Sequence, residues 1–66
     1  MDVDFELISI VKRKRAELRY SRKEVAEAIS VSVDLYCRFE EGLQQLDVIS
    51  ICRIVLLLRI EPDMIF

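Results

Sequence analysis

The side chains here that can do chemistry are mostly cations, and they are clustered. Lys12, Arg13, Lys14, Arg15, Arg19, Arg22 and Lys23 are seven of the chain's ten cations, with one acid, Glu17, among them. The other three cations share the rest of the sequence with eleven acids. A net charge of −2 therefore conceals a basic segment on an acidic body, and such a local positive field attracts phosphate. Other chemistries have little to work with. The chain has no His and only one Gly, so it cannot form a glycine-rich phosphate loop. Cys37 and Cys52 fall on different predicted helices, short of the four-ligand set that zinc takes. Neither has an evident base to activate it as a nucleophile. The expectation is a binding protein, not an enzyme, with no metal and no cofactor.

The bulk composition sets the scale. A chain of 66 residues makes one domain, 1–66, near the size at which a single core is marginal. Hydrophobic residues make up 53% of it, with one Gly and one Pro, which suits helices and leaves few turns. The longest apolar run lies between Arg53 and Arg59, far too short to span a bilayer. The opening MDVDFE lacks the basic start of a secretory signal. A cytoplasmic location without membrane contact follows as the expectation, with both cysteines reduced.

Four helices must position the cations. The first is predicted from Asp4 to Leu18, capped by Asp4, with Leu7, Ile8, Val11 and Leu18 inward. Arg15 falls in the middle of that apolar stripe, and a cation aimed at a core needs an anionic partner. Ser21 and Glu24 form a capping box for a second helix that ends near Ile29. Ser32 caps a third, which runs to about Glu41 and stops at Gly42. Between the second and third helices there is room only for a tight turn, which predicts a helix-turn-helix over 21–42. On the third helix, Tyr36 and Phe39 point inward, Asp34, Cys37, Arg38 and Glu41 outward, and Glu40 sits on the core edge. Glu40 is thus the expected partner of Arg15. Asp47 caps a fourth helix to about Leu58, with Val48, Ile51, Val55 and Leu58 inward and Ile54 alongside. Its other side, with Ile49, Arg53 and Leu56 outward and Leu57 beside them, is too apolar for a wet helix face. Such a patch marks an interface.

The segment VKRKRAELRYSRKEVAEAISVS, the Phe39-Glu40-Glu41-Gly42 helix end and the closing IEPDMIF together resemble the Xre family, the Cro and cI-type phage-repressor DNA-binding domains. The resemblance spans roughly Val11 to Phe66. It implies an all-α fold, a five-helix lambda-repressor-like domain whose last short helix starts at Glu61. It also implies pairing of Arg15 with Glu40, in agreement with the burial reading. Arg19 and Ser30 stand where the family usually has Gly, which implies strain or a different turn there.

Carried over by position, the resemblance lays the third helix in the major groove. Ser32, Val33, Asp34 and Arg38 become the base-reading residues. Arg38 suits a guanine, Val33 a thymine methyl and Asp34 a cytosine amino group. Arg19, Ser21, Arg22 and Lys23, at the start of the second helix, become the phosphate contacts. Ile49, Arg53, Leu56, Leu57 and Met64 become a homodimer interface. The implied activity is transcription regulation, typically as a repressor, on a double-stranded DNA operator. The alternative is a protein-interaction module (antagonist, adaptor or antitoxin) with weak DNA binding, which Asp34 and the net acidity favour.

Overall fold

The computed structural model describes residues 5–61, which form an all-helical fold without strands among them. Its elements are α1 (Phe5–Glu17), α2 (Arg22–Ala28), α3 (Val33–Glu40) and α4 (Val48–Leu57). Beyond its first residue, Glu61, the expected fifth helix lies outside the described residues, as do the Asp4 cap and Met64. No helix among the described residues is long and apolar enough to cross a membrane.

Side-chain caps begin three of the helices. Ser21 Oγ accepts from Glu24 N at 3.0 Å, and Glu24 Oε1 accepts from Ser21 N at 2.9 Å, closing the capping box. Ser32 Oγ accepts from Leu35 N, and Asp47 Oδ1 accepts from Ser50 N. Each satisfies an amide that the helix itself leaves unpaired.

All four helices end in the same way. The amides of Tyr20, Val31, Leu43 and Ile60 reach back to the carbonyls of Arg15, Ala26, Arg38 and Val55 at 2.9–3.1 Å. This is the Schellman closure, which places the preceding residue in the left-handed region. Gly42 fills that position after α3, but Arg19, Ser30 and Arg59 fill it elsewhere, with φ of 61°, 62° and 56°. The residue after each of the three strained positions, Tyr20, Val31 or Ile60, packs into or against the core. Apolar burial therefore holds turns that the backbone alone disfavours.

The core gathers Leu7, Ile8 and Val11 of α1, Val25, Ala26 and Ile29 around α2, Tyr36 and Phe39 of α3, and Ile54, Leu58 and Ile60 from α4 and its exit. α3 packs on both α1 and α2, and α4 on α2. Ala26 is fully buried.

Three expectations about inward faces need correction. α1 stops at Glu17, and Leu18 is exposed at its cap instead of completing the stripe. Val48, expected inward, is 77% exposed, while Ser50 and Ile54 are buried. Leu58 and Ile54 are buried and Ile51 and Val55 pack against the core as expected, so α4 departs from its expected phase only by a modest turn that exchanges Val48 for Ser50. The reason is that apolar residues surround α4 almost completely, so the pattern carried little phase information. The same rotation brings Leu57, expected beside the outward face, against the core.

Candidate nucleic-acid interface

A charged network joins the helices at the base of the candidate surface. Glu40 is buried, and Arg15 grips it with both arms of the guanidinium. Nε donates to Oε2 at 2.7 Å and Nη2 to Oε1 at 3.1 Å. The remaining nitrogen, Nη1, donates to the Tyr20 carbonyl at 3.0 Å, tying α1 to the turn after it. Bidentate pairing of this kind offsets much of the cost of taking both charges out of water. The hydrogen bond to Glu40 raises the Arg15 pKa against the opposing effect of burial. Tyr36 is fully buried nearby, and its hydroxyl makes no hydrogen bond among the described residues. Burial first, then the Glu40 carboxylate, push the phenol well above its ordinary pKa.

Arg22 joins the same carboxylate. Its Nε lies 3.2 Å from Glu40 Oε1, and its Nη1 lies 3.9 Å from Glu41. The residue nominated for a phosphate is therefore also part of the scaffold, linking the first turn of α2 to the end of α3. Sequence spacing identified Glu40 as the partner of Arg15 but gave no sign that it serves two arginines. The nearest signal was Glu40-Glu41, a tandem of acids opposite a tandem of cations.

The other nominated phosphate residues, Arg19, Ser21 and Lys23, are exposed around the α1–α2 turn. The hydroxyl oxygen and amide of Ser21 are engaged in the capping box. On α1, Arg13 and Lys14 lie 3.8 and 3.7 Å from Glu17, so the one acid of the basic segment partly neutralises two of its cations.

α3 separates into two sides. Tyr36, Phe39 and Glu40 are buried, whereas Ser32, Val33, Asp34 and Arg38 are exposed together on its outer surface. Cys37, expected outward, is half-buried between these sides. On the outer side, Arg38 Nη2 lies 3.0 Å from Asp34 Oδ2, one helical turn apart. An acid N-terminal to a base at this spacing is the favourable order. The face thus carries an apolar contact in Val33, an acceptor in Asp34 and a donor fork in Arg38, with the last two joined.

The residues nominated for self-association divide. Ile49 and Leu56 are 62% and 79% exposed, and Val48 and Leu43 are exposed apolar side chains as well. Arg53 turns away from that face, and its Nη1 donates to the Ile29 carbonyl at the end of α2, 3.2 Å away. Val48 is the member that the sequence assigned to the core. Among the described residues, no group of His, Cys, Asp and Glu could hold a metal ion.

Comparison with protein-family models, curated proteins and solved structures finds no match to this chain.

Proposed function

We propose that this chain is a sequence-specific DNA-binding transcriptional regulator of the Xre, Cro and cI-like kind, acting as a homodimer on an operator. α2 and α3 form its helix-turn-helix, and a short fifth helix would start at Glu61. The observation that carries this reading is the division of α3. Its inner side is locked to α1 and α2 through Tyr36, Phe39 and the Arg15–Glu40 pair. Its outer side remains exposed, with side chains suited to base edges. Arg19 and Lys23 lie beside the α2 start, where they would hold the backbone phosphates. The exposed Val48, Ile49 and Leu56 supply an apolar surface on which a second copy would pack. Operator occupancy would then block or recruit the polymerase, with no catalytic step.

The test is a gel shift on the DNA upstream of its own coding sequence, titrated in salt. Saturable binding that weakens steeply as salt rises is expected. Lys23→Ala is a cleaner probe than Arg22→Ala, because Arg22 also braces Glu40. Loss of Lys23 should weaken binding to all duplexes alike and reduce the salt slope by about one unit. The second reading, an interaction module, is favoured by the carboxylates that already occupy Arg22 and Arg38. Tight self-association without salt-sensitive DNA binding would establish that reading instead.

A further inference from the structure

We propose that Asp34 and Arg38 act as one coupled reading unit, in which Asp34 determines specificity by rejecting unsuitable base pairs. The inference rests on the DNA-binding reading and identifies the class of duplex that this surface accepts. Two observations carry it. Arg38 and Asp34 are the oppositely charged groups of the outer α3 face, and they are already in contact at 3.0 Å. Both are mainly in water, with 56% and 74% of the side chains exposed, so the pair is weakly held and can open.

Of the other groups expected on this side of α3, Glu41 lies toward Arg22, 3.9 Å from its Nη1, and Cys37 is half-buried. Ser32 Oγ accepts the Leu35 amide as the helix cap, and Val33 offers only apolar surface. An arginine on the face would by itself bind any duplex through its phosphates. Asp34 changes that by holding the guanidinium in place and facing the DNA with a negative charge.

The pair can open productively only where the groove offers both complements at neighbouring positions. Guanine presents O6 and N7, which accept the arginine fork, while cytosine or adenine presents an exocyclic amino group that donates to the carboxylate. Thymine or guanine opposite Asp34 presents acceptors only, leaving a carboxylate against carbonyl oxygens without a proton between them. The accepted duplex therefore carries a guanine beside a base bearing an amino group. Specificity gained by penalising the wrong partner in this way lowers affinity for all DNA. It also fits an acidic protein with few free cations.

The experiment compares the wild type with Asp34→Ala in two assays, with folding monitored by circular dichroism. In the first, each protein selects from a random-sequence duplex library. The wild type should enrich a guanine next to a position restricted to cytosine or adenine, and Asp34→Ala should release that restriction while keeping the guanine. In the second, affinities are measured for the wild-type-enriched duplex and for the random pool. Asp34→Ala should bind the pool about fivefold tighter and gain less on the enriched duplex, so that discrimination falls. Equal gains on both, with the restriction unchanged, would overturn the coupled-reading proposal and leave DNA binding standing. A wild type that binds no duplex in a salt-dependent way would overturn both.

Discussion

Ser30→Gly should stabilise this protein, although glycine inside a helix is harmful. Ser30 closes α2 at φ 62°, and Arg19 and Arg59 close α1 and α4 at φ 61° and 56°. An L-residue in this region costs roughly 1–2 kcal/mol relative to ordinary helical backbone. Glycine removes that cost but loses about 0.5–1 kcal/mol through the greater freedom of the unfolded chain. The net gain is about 0–1.5 kcal/mol per site, and its centre, about 0.75 kcal/mol, corresponds to roughly 3–6 °C in melting temperature for a domain of this size. Ser30 is the cleanest site because its side chain is exposed and carries no charge. Glu27→Gly, one turn earlier on the exposed side of α2, is the control and should destabilise, since glycine in a helix interior costs about 1 kcal/mol. Thermal and urea melts followed by circular dichroism would measure both. If Ser30→Gly lowers stability as much as Glu27→Gly does, the strain assigned to the left-handed closures is wrong.

The remaining expectations concern the buried charges. Arg15→Met should cost about 3 kcal/mol, because it leaves Glu40 buried with Arg22 as its remaining partner. The double replacement Arg15→Met with Glu40→Met should cost less than the sum of the two single changes, and additive urea-melt values would contradict the pairing. Tyr36→Phe should stabilise by up to about 1 kcal/mol, since it removes a buried hydroxyl that has no hydrogen-bond partner among the described residues. Destabilisation of similar size would instead mean that the hydroxyl bonds to the neighbouring carboxylate.

The parts of the fold legible in the sequence are those governed by short-range chemistry. The capping box at Ser21 and Glu24, the caps at Ser32 and Asp47 and the stop at Gly42 each depend on residues within one turn. Local spacing is enough to place them. Arg15 was legible for a different reason. A cation in an apolar stripe demands a partner, and Glu40 was the acid on the facing edge. The exposure of Asp34, Arg38 and Glu41 followed from the angular periodicity of α3, although Cys37, expected with them, is half-buried.

What the tertiary structure decided lies where several arrangements satisfy the local rules equally well. α4 is apolar on nearly every side, so only packing against α2 could choose Ser50 for the core and turn Val48 outward. Arg53 remains exposed, but its Nη1 reaches the Ile29 carbonyl that the fold brings near at the end of α2. Arg22 looked like a free cation until the fold placed the buried Glu40 beside it. The sequence itself determined which residues could pair or pack, because side-chain chemistry and helical period are local properties. The folded chain determined which of those options were taken, because burial and charge pairing depend on neighbours that only folding brings together.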